Sequence, residues 1–182
     1  MKKILTLCAL SFAFVTSSLG QAYEQGRGQL NLGIGLGSTI GTVPAGVTAS
    51  SVPPISASYE YGLKDKISVG GYVGYTSLSY SQNFFNDTWS WNFSYLILGA
   101  RGSYHFLTSD KLDPYAGLML GYNIASVDYK INNVVTTFNG TAGGFTFSGH
   151  LGARYLFTDK IGAFAEIGYG ISYLNLGLHL KM

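Results

Sequence analysis

Hydrophobic and polar residues alternate one for one along most of the chain from residue 29 onward. In the first such segment, leucine or isoleucine fills every even position from Leu30 to Leu36, and Asn or Gly fills the positions between. Side chains of a β-strand point alternately to its two faces, so this pattern predicts strands with one apolar face. The eight predicted strands are about Gln29–Ser38, Pro54–Leu63, Lys66–Tyr80, Phe93–Phe106, Pro114–Ser126, Gly144–Phe157, Ile161–Ile171 and Ser172–Met182.

The predicted connections alternate between short and long. Short turns follow the second, fourth and sixth strands, whereas the first, third and fifth are followed by the longer segments Thr39–Pro53, Ser81–Asn92 and Val127–Gly143. Almost nothing separates the seventh strand from the eighth. Short periplasmic turns and long external loops are typical of outer-membrane barrels, whose tilted strands need about 9–11 residues to cross the bilayer.

The composition indicates which face meets lipid. Only 11% of residues are charged, and the polar face consists mainly of Gly, Ser and Asn. A soluble eight-stranded barrel would turn its polar face to water, whereas small residues suit a narrow lumen. We therefore expect the apolar face to lie against lipid, with aromatic girdles at both ends. The predicted girdle residues are Tyr61, Tyr104, Phe106, Tyr155 and Phe157 near the periplasmic turns, and Tyr75, Tyr122, Phe145, Phe147 and Tyr169 near the external loops.

The first residues have the pattern of a secretory leader. A basic start at Lys2 and Lys3 precedes an apolar run, Ile4–Val15, that is too short for a membrane-spanning helix. We predict a cleaved signal peptide over residues 1–22 and a barrel domain over residues 23–182, with cleavage after either Gly20 or Ala22. The mature chain then has no cysteine, and its basic and acidic residues are equal in number.

Three local sequences resemble the small OmpA/OmpX-type outer-membrane barrel families: Asp113–Gly117, Glu166–Gly170 and the closing Leu174–Met182. The resemblance covers the whole mature chain. It implies an all-β fold, a transmembrane eight-stranded antiparallel up-and-down barrel in the bacterial outer membrane. It also implies a monomer surrounded by outer-membrane lipid and lipopolysaccharide, and inserted by the barrel-assembly machinery.

Few charged residues lie on the predicted inward face, and four of them suggest a lumen charge network: Glu60, Arg101, Arg154 and Glu166. Arg154 and Glu166 lie on neighbouring strands beside a tight turn, so we expect them at its centre. Buried charges are costly unless they pair. The network predicts either a plug that holds the barrel shut or a gated narrow pore.

Ser148, His150 and Glu166 raise the hypothesis of an acyl-chain enzyme that modifies lipid A. Ser148 and His150 share the inward face, away from any acyl chain, and no G-x-S-x-G elbow is present. We expect no enzyme, no cofactor and no metal site. The balanced charge also argues against nucleic-acid binding.

The second external loop carries four large aromatic residues: Phe84, Phe85, Trp89 and Trp91. They either extend the girdle and cap the barrel mouth or form a contact surface for another cell, lipopolysaccharide or a partner protein. The sequence thus predicts an outer-membrane barrel with a structural or surface-interaction role. The alternative is a narrow pore or a transport path for small apolar molecules.

Overall fold

The computed structural model describes residues 21–38, 48–84, 87–107, 109–131, 134–135 and 140–182, so most of the predicted leader lies outside it. The described residues form nine strands. In chain order they are β1 (Gly28–Ser38), β2 (Thr48–Lys64), β3 (Ile67–Phe84), β4 (Asp87–His105), β5 (Leu112–Ile131), β6 (Val134–Val135), β7 (Gly140–Leu156), β8 (Ile161–Gly168) and β9 (Ser172–Lys181). No helix within these ranges is long and apolar enough to cross a membrane.

Backbone pairing closes the sheet into a ring. The long strands pair antiparallel with their neighbours in chain order, β4 pairs with β5, and β1 pairs with β9 from Gln29↔Lys181 to Ser38↔Ser172. The two-residue β6 pairs with β5 and lies outside the ring. Pairing of the first strand with the last removes the two free edges of an open sheet. The described residues thus confirm the predicted eight-stranded up-and-down barrel.

The two faces of the barrel wall differ in chemistry. Leu118, Leu120 and Phe147 on the outer face are 59%, 67% and 60% exposed, whereas Glu60 and Arg154 on the inner face are fully buried. A water-soluble barrel would bury its apolar set instead. The structure therefore confirms that the apolar face is outside and the polar face lines the lumen. Predicted girdle residues near the periplasmic turns form outward ring pairs, Tyr104 with Phe106 and Tyr155 with Phe157.

The second external loop was predicted wrongly, because β3 and β4 continue through it. They remain paired as far as Phe84↔Asp87, and β4 has 19 residues. Tilted strands cross the hydrocarbon layer in about 9–11 residues, so roughly half of β4 lies beyond it. Strand β5 likewise continues to Ile131 and pairs with β4 as far as Trp89. The third predicted loop, Val127–Gly143, is therefore also partly strand, since β5 ends at Ile131 and β7 begins at Gly140.

The polarity of the faces reverses in these extensions. Beyond Tyr75 on β3 and Leu96 on β4, the outer face carries serine and asparagine, and aromatic residues occupy the lumen-side face. Outer-face pairs are hydrogen-bonded across the strands: Ser79 Oγ donates to Asn92 Oδ1 at 2.9 Å, and Ser81 Oγ lies 3.1 Å from Ser90 Oγ. Rows of hydroxyl and amide groups are costly in hydrocarbon. The strands therefore leave the lipid at the level of this reversal.

Two further strand ends differ from the sequence prediction. Strand β2 begins at Thr48, with a register shift between Val52 and Ile55 where two consecutive prolines cannot donate backbone hydrogen bonds. Strand β8 ends at Gly168 rather than Ile171. Residues 169–171 bend, which breaks the period-two alternation, and Ile171 is fully buried in the lumen instead of facing lipid.

Candidate functional site

The lumen-side face of β4 crosses four layers of the barrel interior. From the periplasmic end it presents His105, then Ser103 and Arg101, then Ile97, and above the lipid the aromatic residues of the β3–β4–β5 extension. His105, Arg101 and Ile97 are 1%, 5% and 2% exposed. The interior is therefore filled by side chains, as expected of a ring of eight strands.

Glu60 on β2 is the centre of the charged layer. Its carboxylate forms ion pairs with Arg154 and with Arg101, whose Nε lies 3.5 Å from Glu60 Oε1. Ser103 Oγ donates to the same oxygen at 2.5 Å. Glu60 and Arg154 are fully buried. The negative charge of the carboxylate therefore balances two guanidinium groups. Without it, both positive charges would be buried with fewer ion-pair partners.

The periplasmic side of this layer contains residues that the sequence prediction missed. Arg154 Nη1 donates to Asp113 Oδ2 at 3.1 Å and to Gln29 Oε1 at 3.0 Å. Asp113 Oδ1 lies 2.6 Å from His105 Nδ1. The predicted strands leave Asp113 in the turn before Pro114, although it shares the odd-numbered spacing of the inward residues Tyr115 and Met119. Strand β5 begins at Leu112, which puts Asp113 inside the lumen and opposite Arg154.

The fourth predicted member of the network, Glu166 on β8, pairs with Arg101 rather than with Arg154. Arg101 Nη2 lies 2.7 Å from Glu166 Oε2, and Tyr115 Oη donates to that oxygen at 2.9 Å. The guanidinium carbon Cζ of Arg154 lies over the Tyr115 ring, 4.1 Å from the ring centroid. Gly152 provides space for this ring, because a Cβ there would lie 2.6 Å from Tyr115 Cζ. The structure brings the four predicted residues together, but their centre is Glu60.

An apolar layer lies above the charges. Ile97, Met119 and Ile171 form a buried cluster against which Tyr72 packs. Beside it, a cavity of about 20 Å³ is lined by Arg101, Glu166 and neighbouring polar side chains. That volume holds about one water molecule. The described lumen side chains therefore leave little free space at this level.

Two residues of the enzyme hypothesis, His150 and Glu166, contact side chains outside the hypothetical relay. Ser103 Oγ donates to Glu60, so its 3.1 Å contact with His150 Nε2 is a donation from the imidazole. Glu166 is engaged by Arg101 and Tyr115. The described contacts thus engage His150 Nε2 with Ser103 and Glu166 with Arg101 and Tyr115, and they show no nucleophile–base–orienter relay through these atoms.

The periplasmic mouth is covered by a short segment before β1, Gln21–Arg27, which we call the strap. Ala22 and Tyr23 are 1% exposed. The Tyr23 ring stacks on His105 with centroids 3.6 Å apart, and its hydroxyl lies 2.7 Å from the Lys64 carbonyl and 2.8 Å from that of Ile67. Burial, together with the negative charges of Asp113 and Glu60, raises the pKa of Tyr23 to about 12. Tyr23 thus covers the charged layer as a neutral side chain.

Polar contacts fasten the strap to β2 and β9. Lys181 Nζ donates to the Gln21 carbonyl at 2.5 Å and lies 3.0 Å from Glu24 Oε2. The hydrogen bond and charge of Lys181 lower the pKa of Glu24. The Gly26 amide donates to the Gly62 carbonyl at 2.9 Å. A Cβ at Gly62 would lie 2.6 Å from the Glu24 carbonyl oxygen, so the close approach requires glycine.

At the opposite end, aromatic residues on the lumen-side face form what we call the aromatic platform: Tyr80, Trp89, Trp91, Phe93 and Tyr129. Trp89 and Trp91 each have ring centroids 5.7 Å from Tyr129. Trp89 is 36% exposed. Two predicted loop-contact residues, Trp89 and Trp91, therefore lie on a strand within one cluster. The side chain of Phe84 and the whole of Phe85 lie outside the described structure.

A closed ring of strands with an apolar outer face and a filled, charged lumen defines a transmembrane β-barrel protein. A family model described as "Outer membrane protein beta-barrel domain" matches residues 5–179. Because this match spans nearly the whole chain, the chain belongs to that family. The protein is therefore an integral β-barrel of the bacterial outer membrane.

Solved outer-membrane barrels share the fold at low sequence identity. OprG from Pseudomonas aeruginosa is 12% identical, with a TM-score of 0.60 over 91% of this chain and 99% of that one. The N-terminal barrel of P. aeruginosa OprF is 16% identical, with a TM-score of 0.51 over 87% and 98%. Ail of Yersinia pestis, in complex with the heparin analogue sucrose octasulfate, is 10% identical with a TM-score of 0.51 over 87% and 96%. No curated protein matches the chain.

Proposed function

We propose that this protein is a closed outer-membrane barrel with a surface-interaction role, in which the aromatic platform contacts the saccharide of lipopolysaccharide. The observation that carries the proposal is the reversal of polarity on β3, β4 and β5. Aromatic side chains of a soluble hairpin are normally buried against another layer, yet Trp89 stays 36% exposed. Exposed aromatic clusters held on regular strands mark contact sites.

The chemistry of the extension suits a saccharide. Among the described residues of the extension, Asp87, Asp128 and Lys130 are charged and sum to a net negative charge, which argues against recognition dominated by phosphate or sulfate groups. Flat indole and phenol rings pack against the C–H faces of sugar rings, and the tyrosine hydroxyls supply polar contacts. Serine and asparagine of the outer face add hydrogen-bonding groups at the same level. Sugar headgroups lie at that height, immediately beyond the lipid.

The filled lumen supports this role over transport. The ion pairs of Glu60, Arg101, Arg154 and Glu166 link β2, β4, β7 and β8 across the interior. To pass through the lumen, a solute would have to break several linked ion pairs. Each broken pair leaves a buried charge without a partner, which costs free energy. The barrel then serves to hold the extended hairpins rigidly above the membrane.

The two tryptophans of the chain are both in the platform, so intrinsic fluorescence reports on it alone. The barrel is reconstituted in nanodiscs of phosphatidylcholine with or without lipopolysaccharide. We expect a blue shift and reduced acrylamide quenching when lipopolysaccharide is present. Trp89→Ala, with Trp91 as the reporter, should lose the response, while Asp65→Asn in the exposed turn after β2, at the other end of the barrel, should keep it. Identical emission and quenching in both nanodiscs would contradict the proposal.

A further inference from the structure

The strap consists of the residues that directly follow the predicted leader. Two cleavage positions satisfy the small-residue rule, since Ser18 and Gly20 precede one and Gly20 and Ala22 precede the other. The two products differ by Gln21 and Ala22 alone. Gln21 is exposed, whereas Ala22 and Tyr23 are 1% exposed. The choice therefore decides whether the new chain start lies in water or in the barrel mouth.

We propose that the leader is removed between Gly20 and Gln21, so that the mature chain keeps the whole strap. Hydrolysis of that peptide bond consumes one water and leaves a carboxylate on Gly20 and an ammonium group on Gln21. The ammonium group stays in water because Gln21 is exposed. Two strap contacts survive: Lys181 Nζ to the Gln21 carbonyl at 2.5 Å, and the Ala22 amide to the Ser109 carbonyl at 2.7 Å.

Cleavage after Ala22 would have the opposite consequences. It would place the ammonium group on Tyr23, which lies in the barrel mouth, is 1% exposed and packs its ring against His105. It would also remove the carbonyl that Lys181 contacts and the amide that donates to Ser109. A buried charge without a partner is strongly unfavourable. The strap would have to leave the mouth to hydrate it, exposing the charged layer.

The test is to express the full chain in a Gram-negative host, purify the barrel from the outer membrane and identify its N-terminal peptide by mass spectrometry. We expect a peptide that begins at Gln21, either free or as pyroglutamate. The latter forms when the α-amine attacks the side-chain amide and releases ammonia. A peptide that begins at Tyr23, or one that retains the leader, would overturn the proposal.

A pair of leader variants gives an independent measurement. Ser18→Lys places a bulky charge at the third residue before the proposed cut, and it is removed with the leader, so it leaves the mature barrel unchanged. We expect the precursor to accumulate at least several-fold relative to the wild type. Ser17→Lys adds the same charge one residue away and should be processed normally. Undiminished processing of Ser18→Lys at the same bond as in the wild type would contradict the proposal, whereas a shift of the first residue from Gln21 to Tyr23 would support it.

Discussion

Among single residues, Glu60 links much of the lumen network, because its carboxylate contacts two buried arginines and two serines. Its position on β2 follows from alternation alone, since Glu60 lies between the outward residues Tyr59 and Tyr61. The residues that surround it come from β4 and β7, far away in the sequence. The contribution of Glu60 to the stability of the barrel therefore arises only when the ring of strands is assembled.

We predict that Glu60→Gln destabilises the folded barrel by about 3–5 kcal/mol, since removing one partner of a buried ion pair leaves uncompensated charge. The measurement is urea unfolding in detergent or lipid, followed by the gel shift between folded and unfolded forms. Asp65→Asn, in an exposed turn, is the matched control and should have little effect. Equal stabilities of Glu60→Gln and the control would show that the network does not hold the barrel together.

The residues missed by sequence reasoning have a common cause. Asp113 and Tyr23 both lie at the ends of predicted segments, one in a turn and one at the leader boundary. The alternation of apolar and polar residues shows which face a residue occupies only inside a strand. It defines the ends of strands poorly. Tyr23 is buried because the ring of strands leaves a mouth that it can fill, and this follows from closure rather than from the strap sequence.

On the scale of elements, the strap depends on a partly exposed ion pair. The hydrogen bond and charge of Lys181 hold the pKa of Glu24 below its usual value of 4.5. A carboxyl whose pKa is lowered on folding stabilises the folded form above its unfolded pKa. That contribution is lost as the pH falls through the lowered pKa. The effect is small because Glu24 keeps 43% of its side chain in solvent.

We predict that the strap undocks partly as the pH falls below about 4.5, the ordinary pKa of Glu24. Cys8 is the one cysteine of the sequence and lies in the predicted leader, so after the predicted cleavage Gln21→Cys accepts a single environment-sensitive dye that reports docking. Glu24→Gln should remove the pH response, and Gly62→Ala should weaken docking at every pH because its methyl group meets the Glu24 carbonyl. An unchanged transition in Glu24→Gln would assign it to another group.

The extended hairpin shows how an element can be missed while its residues are noticed. Alternation places Phe84, Trp89 and Trp91 in a loop, because the membrane pattern, apolar outside and polar inside, ends after Tyr75 on β3 and begins again only at Leu96 on β4. The alternation itself continues there with its polarity reversed. Beyond the lipid, the outer face of the strands meets water instead of hydrocarbon. The pattern of apolar residues on the outer face therefore ends at the lipid boundary, although the strands continue past it.

On the scale of the whole molecule, the layers along the axis close the barrel from both ends. Tyr23 covers the periplasmic mouth, ion pairs link the middle, and Ile97, Met119 and Ile171 pack above them. The interior is tied to most strands of the ring, so it stabilises the closed barrel as a unit.

We predict that the wild-type barrel shows no discrete conductance steps in planar bilayers, because the linked ion pairs obstruct the lumen. Glu166→Gln should lower stability by about 1–3 kcal/mol, since Arg101 loses its charge-assisted contact at 2.7 Å. Melting is measured on the same preparations, with Asp65→Asn in the exposed turn after β2 as control. Regular conductance steps in the wild type would favour the narrow-pore alternative over the proposed surface role.

Alternation and composition are sufficient to assign the class of this protein. Strict alternation, a glycine-rich polar face and few charges are properties of each strand separately, so they can be counted along the chain, and they lead to a transmembrane barrel with Glu60, Arg101, Arg154 and Glu166 inside. Only the tertiary structure decided which of these charges pair, how far the hairpins rise above the lipid and what covers the mouth. Those features depend on the shear and closure of the ring, which bring distant strands into one register.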